Sequence, residues 1–149
     1  MSAAQGGRIV RAARGWIGTP YRHQASLRGA GCDCRGLLRG VWREVLGEEP
    51  EAVPTYAPDW SEPQGEERLW QAAARHLRAV PCGQAAAGDV LLFRMRDGSV
   101  AKHLGIAAEV GVQASFIHAY SGHGVIESAL GAGWRRRIAA RFAFPERFE

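Results

Sequence analysis

The apolar pattern changes period part-way along the chain, and that change limits the fold more than any other feature. Up to Val80 apolar side chains recur at helical spacing. Beyond Gly88-Asp89 they run in short blocks of strand length. The clearest helix follows Asp33, where Leu37, Leu38, Val41, Trp42, Val45 and Leu46 form two rows four residues apart. Asp33 suits the N-cap and Gly47 the C-terminal stop. A second helical face carries Ile9, Val10, Ala12, Ala13, Trp16 and Ile17 and is stopped by Gly18-Thr19-Pro20. A third runs from Glu66 to Val80 through Leu69, Trp70, Ala73 and Leu77, stopped by Pro81-Cys82-Gly83.

Between the last two helices, Pro50 to Gly65 holds four of the chain's seven prolines and reads as loop. Strands are predicted at Val90–Phe93, His103–Val110, Ser115–Tyr120, Gly124–Leu130 and Ile138–Phe144. Helices followed by a strand meander imply an α+β fold, with N-terminal helices on one side of a central antiparallel sheet of about five strands. At 149 residues, one domain spanning 1–149 is expected.

Hydrophobic residues make up 46% and charged residues 23%, which excludes a disordered chain. The net charge of +4 reads as a basic solvated surface, and no nucleic-acid partner is expected. Met1 to Gly15 has no apolar run suited to a signal peptide, and no stretch reaches the roughly 18 apolar residues of a membrane span. The expectation is synthesis in the cytoplasm without an export signal and without membrane insertion.

The three cysteines, Cys32, Cys34 and Cys82, do not form a disulfide framework. A C-x-C pair with one distant cysteine also lacks the knuckle spacing of a structural metal site, so no metal and no cofactor are expected.

Cys34 stands in the first turn of the Asp33-capped helix. Unpaired backbone N–H groups and the helix dipole favour thiolate there, and thiolate is the nucleophilic form. The competing reading is a small buried apolar residue. A cysteine nucleophile needs a base that is adjacent in space. His103 opens one predicted strand and His118 lies on the next. A hairpin turning at Val110-Gly111 sets the two opposite each other on one face, where His118 can orient His103. The plainer alternatives are a strand-end surface histidine and a satisfied core histidine. His123, in a Ser-Gly-His-Gly turn, is the weaker substitute. His23 and His76 read as surface residues, and Arg135-Arg136-Arg137 as a solvated face or a docking patch.

Taken in order, Gly18-Thr19-Pro20-Tyr21, Gly31-Cys32-Asp33-Cys34-Arg35-Gly36-Leu37, Gly88-Asp89-Val90-Leu91-Leu92-Phe93, Lys102-His103-Leu104-Gly105-Ile106 and Phe116-Ile117-His118-Ala119 resemble the NlpC family of papain-like cell-wall peptidases. The resemblance covers essentially the whole chain and implies the papain-like NlpC fold. It implies Cys34 as nucleophile, His103 as base, His118 as the third polar residue, and Tyr21 beside the nucleophile. Tyr21 can pack there or help hold an oxyanion. Asp33, Arg35, Tyr56 and Trp60 are the expected groove residues. Where the family usually has Ser after the cysteine this chain has Arg35, a cation expected to favour thiolate further.

Pro20-Tyr21-Arg22-His23-Gln24-Ala25-Ser26 and Trp134-Arg135-Arg136-Arg137 look like the phage-tail and gene-transfer-agent subgroup. That likeness implies carriage on a tail, with tail-tip or baseplate hub proteins as partners and peptidoglycan stem peptides as substrate. Three activities follow as expectations. The first is an endopeptidase, which the resemblance directs to the D-glutamyl–diamino acid bond. The second is an acyltransferase or amidase on the same fold, which would accept a nucleophile other than water. The third is a tail component that hydrolyses nothing.

Overall fold

The computed structural model describes residues 3–50, 67–83 and 86–146. Tyr56 and Trp60 lie outside them, as does nearly all of the predicted Pro50–Gly65 loop. Helix α1 spans Ala3–Arg14 and helix α2 Cys34–Val45, with the two-residue strands β1 (Ser26–Leu27) and β2 (Gly31–Cys32) forming a small hairpin between them. Helix α1 starts and ends earlier than its apolar spacing suggests. The chain leaves it at Gly15 so that Trp16 can fold into the core. The indole lies against Gly40 of α2, where a Cβ would come within 2.0 Å of the ring. Helix α2 closes as predicted, with Gly47 in the left-handed region at φ 98°.

Helix α3 covers Arg68–His76 and ends four residues before the predicted Val80. The chain extends at Leu77, and Arg78–Val80 becomes strand β3, paired with the last strand through Arg78–Ala143 and Val80–Arg141. Helical spacing alone carried the helix to Val80. The hydrogen bonds offered by a waiting sheet edge overrode it.

The remaining strands are β4 (Val90–Arg94), β5 (Ala101–Ala107), β6 (Ser115–Tyr120), β7 (Gly124–Ala129) and β8 (Ile138–Ala143). They form one six-stranded antiparallel sheet in the order β3-β8-β4-β5-β6-β7, one strand more than expected because of β3.

One sheet face buries Leu92, Leu104, Ile106 and Ile117 against Ile9, Val10, Leu37, Val41, Leu69 and Ala73 of the first three helices. The other face holds Leu91, Phe93 and Phe116 and was expected to be free of helices. It is covered by a six-residue helix, α4 (Ala132–Arg137), whose Trp134 packs onto it. Among the described residues no helix is long and apolar enough to cross a membrane.

Candidate active site

The nucleophile side is built by local chemistry. Asp33 adopts extended backbone, and its Oδ1 accepts the Gly36 N–H at 2.8 Å, which caps α2. Its Oδ2 accepts the Gln24 N–H at 2.7 Å, and its own N–H donates to the Ala25 carbonyl at 3.3 Å. One carboxylate thus ties the helix start to the 22–25 turn, where Gln24 holds a positive φ of 66°. Gly36 is required by the same contact, since a Cβ there would lie 1.8 Å from the Ala25 oxygen. Asp33 is buried and its carboxylate is committed to this cap. Its Oδ2 also stands 3.9 Å from His23 Nδ1.

Cys34 is the first residue of α2. Strands β5 and β6 pair at Ile106–Ile117 and Ala107–Phe116 and part towards His103. The backbone N–H groups of Leu104 and Arg35 lie close enough to the Cys34 sulfur to favour its charged form. The nucleophile candidate therefore lies beside the residue that follows His103.

Burial pushes the thiol up to about 12, and the Asp33 carboxylate adds to the rise. The two N–H groups and the Arg35 guanidinium pull the other way and are outweighed. Arg35 acts in the expected direction, but the expected resting thiolate does not follow. Arg35 also lines a mostly apolar cleft of about 90 Å³ with Leu38, Trp42, Leu69, Ala73 and Leu104.

Tyr21 forms an isolated parallel bridge with Cys32 and is half-buried. Its phenol is pushed up to about 12, by burial first and then by the fields of Cys34, Asp33 and Cys32. The hydroxyl thus stays protonated in the field of the sulfur. Cys32 is fully buried, and its thiol is likewise raised by burial to about 12; Cys82 is exposed. Among the described residues no group of three or more His, Cys, Asp or Glu stands close enough to hold a metal ion.

The base side is built across strands. His103 lies on β5 opposite Phe93, and its Nε2 meets His118 Nδ1 at 2.8 Å. The register sits two residues from the predicted alignment. Continued from Ile106–Ile117, it sets Gly105, not His103, opposite His118. The direct pairing is corrected to a diagonal contact, and Gly105 makes room for it. A Cβ on Gly105 would meet Phe116 at 2.7 Å and the His118 Cβ at 3.2 Å.

His118 is fully buried, 4.2 Å from the Phe116 ring centroid, and Trp134 stands edge-on to it. Its second nitrogen, Nε2, meets the Ser128 hydroxyl at 2.9 Å. Burial depresses both imidazoles, His103 to about 3 with help from His118, and His118 to about 4 with help from His123. His123 itself is exposed and stacks on Tyr120.

The histidines are brought together as expected. Cys34 reaches the backbone beside them, but among the described residues no hydrogen bond links Cys34 to His103. With His103 Nε2 engaged by His118, Nδ1 is the nitrogen left to act on the sulfur. Catalytic hydrogen bonds of this kind commonly tighten only around bound substrate.

The sequence profile of the NlpC/P60 family matches residues 18–141, a span that holds Tyr21, Asp33, Cys34, His103, His118 and Ser128. The protein belongs to the NlpC/P60 family. No protein of curated function matches it in sequence. Among solved structures it is similar to the NlpC/P60 domain of the peptidoglycan hydrolase SagA, with 27% identity over 95% of this chain and 98% of that one and a TM-score of 0.59. A lipoprotein-like NLP/P60 family protein from Staphylococcus aureus shares the fold, with 19% identity, a TM-score of 0.65, and coverage of 99% of this chain and 43% of that one. So does an NlpC/P60 family protein from Bacillus cereus, with 20% identity, a TM-score of 0.64, and coverage of 93% and 40%. The chain thus spans less than half the length of these two larger relatives.

Within this NlpC/P60 domain, sequence reasoning missed Ser128, Trp134, Gly105 and the Gln24-Ala25 turn. Ser128 was within reach of a register argument. The β6–β7 turn, with Tyr120 opposite Gly124 and Gly122 at φ 87°, sets His118 opposite Ile126 and therefore Ser128 one diagonal away. Trp134 carries no such signal, because only the folded sheet shows which face lies bare.

Proposed function

We propose that the protein is a cysteine peptidase that hydrolyses amide bonds in the peptide stems of bacterial peptidoglycan. The observation that supports this most is the hydrogen-bonded pair His103–His118, with Cys34 at the start of α2 in the field of the Leu104 backbone N–H. Cys34 is the nucleophile, His103 the base and His118 the residue that orients it. Burial leaves thiol and imidazole uncharged at rest, so proton transfer accompanies attack. His103 Nδ1 takes the thiol proton as sulfur bonds to the amide carbon. The oxyanion meets the N–H groups at the start of α2 and the Tyr21 hydroxyl, which burial keeps protonated. His103 then returns the proton to the leaving amine, and water releases the acyl group from sulfur.

The resemblance in sequence directs this activity to the D-glutamyl–diamino acid bond. It also directs the enzyme to a phage-like or gene-transfer-agent tail, where tail-tip proteins hold it and present it to the target wall. The SagA likeness supports the peptidoglycan substrate, since that relative is a peptidoglycan hydrolase. The test is mass analysis of purified peptidoglycan fragments after incubation with the protein. New free amino groups on the diamino acid support the proposal. Intact fragments at all protein concentrations overturn it, and transfer to an added amine in place of water would mark an acyltransferase.

A further inference from the structure

We propose that Ser128 is a positioning residue of the active site, the outer end of a hydrogen-bonded chain His103–His118–Ser128 that sets which nitrogen of His103 carries the proton. The inference rests on His103 serving as base.

To accept a proton at Nδ1, neutral His103 must carry its hydrogen on Nε2. That hydrogen points at His118 Nδ1, 2.8 Å away, which must then be a bare acceptor. The hydrogen of neutral His118 is thereby placed on Nε2, and its acceptor is the Ser128 hydroxyl at 2.9 Å. His118 is fully buried between Phe116, Trp134 and Tyr120, and the Ser128 hydroxyl is the group that its Nε2 meets on β7. Burial depresses both rings, and the chain is neutral throughout.

Remove the hydroxyl and His118 Nε2–H loses the side-chain acceptor that favours this tautomer. The imidazole then does better with its hydrogen on Nδ1, donated to His103 Nε2. That moves the His103 hydrogen to Nδ1, the nitrogen that must be bare. One hydroxyl two residues along an edge strand thus biases which nitrogen of the base is bare. Ser128 is half-exposed, so its own hydrogen can be donated to solvent.

The test combines kinetics on muropeptides from purified peptidoglycan with imidazole nitrogen NMR on the full chain. Ser128→Ala is expected to lower kcat about 3- to 10-fold, the range of one hydrogen bond, with KM within about twofold. The His118 proton should move from Nε2 to Nδ1 in the nitrogen spectra. Ser128→Thr, which keeps the hydroxyl, should restore both. In a His118→Ala background, Ser128→Ala should cost nothing further. Wild-type kcat and spectra in Ser128→Ala, while His103→Ala and His118→Ala lose activity, overturn the role of Ser128 alone. The same follows if the Ser128→Ala loss persists undiminished in His118→Ala. Wild-type activity in His103→Ala would instead remove the underlying mechanism and this proposal with it.

Discussion

The two halves of the site are held by different kinds of contact. At the nucleophile, Asp33 caps the Gly36 N–H three residues on and binds Gln24 nine residues back, so the platform under Cys34 is almost local. At the base, His103 meets His118 across a hairpin, and His118 meets Ser128 across another. Its geometry is a matter of strand register. Capping chemistry tolerates changes elsewhere in the chain. Register does not, because a shift of one residue turns every side chain to the other face. The first half should therefore fail by losing stability, and the second by losing alignment.

The largest expected effect tests the proposed chemistry at its centre. Cys34→Ala should abolish hydrolysis, a loss of about 10⁴-fold or more, with the circular dichroism spectrum unchanged, since the cap comes from Asp33. Cys82→Ala, at an exposed position, should keep full activity, and Cys32→Ala most of it at some cost in stability. Muropeptide digestion by Cys34→Ala at the wild-type rate would sink the mechanism.

The base comes next. His103→Ala should cost about 10²- to 10⁴-fold in kcat/KM, the range for loss of a general base. His118→Ala should cost less, about 10- to 100-fold, because it removes alignment only. His118→Asn or His118→Gln should recover part of this and His118→Leu none. Equal losses at both positions would mean that His118 touches the chemistry itself.

Two glycines separate the halves by mechanism. Gly36→Ala drives a methyl into the Ala25 carbonyl and should destabilise the fold by about 3 kcal/mol or more in urea titrations. Gly105→Ala pushes on Phe116 at 2.7 Å, the Ile117 carbonyl oxygen at 3.1 Å and the His118 Cβ at 3.2 Å, looser contacts than at Gly36, and should cost about 1–2 kcal/mol. Its loss in kcat should be larger than that stability change suggests, because it displaces His118 from His103. The reverse ordering would show that the base side is the stiffer one.

The halves also differ in their response to pH. His103 and His118 are held neutral well below the ordinary histidine value of 6.5, so the unfolded state binds more protons as pH falls. Stability is then full above about 6.5 and declines towards about 4 and 3, by up to about 1.4 kcal/mol per pH unit for each ring. On the alkaline side, Cys34 is held as thiol above its ordinary 9.0, so stability declines again as pH rises past that value. His118→Asn should flatten the acid limb, as read by chemical denaturation against pH. Alkylation of Cys34 by iodoacetamide should rise only above the free-thiol midpoint of about 8.5. A midpoint below it would mark a preformed thiolate–imidazolium pair.

The sequence by itself determined what short-range rules govern. The Asp33 cap, the amphipathic face of α2, the Gly47 stop and Cys34 in the first turn all follow from spacings of a few residues. The order of the central strands was legible because burial leaves uninterrupted apolar runs at Val90–Phe93 and Phe116–Ile117. Tertiary structure alone decided the rest. Arg78–Val80 became a strand because β8 offered an edge, α4 folded over a bare sheet face, and the β5–β6 register moved by two residues to set Gly105 beneath His118. It also decided the protonation of the site. A helix N-terminus and a neighbouring Arg35 argue for thiolate at the level of sequence, but desolvation of the partly buried sulfur and the Asp33 carboxylate push the other way. Desolvation is a property of everything that surrounds the sulfur, and no stretch of sequence contains it.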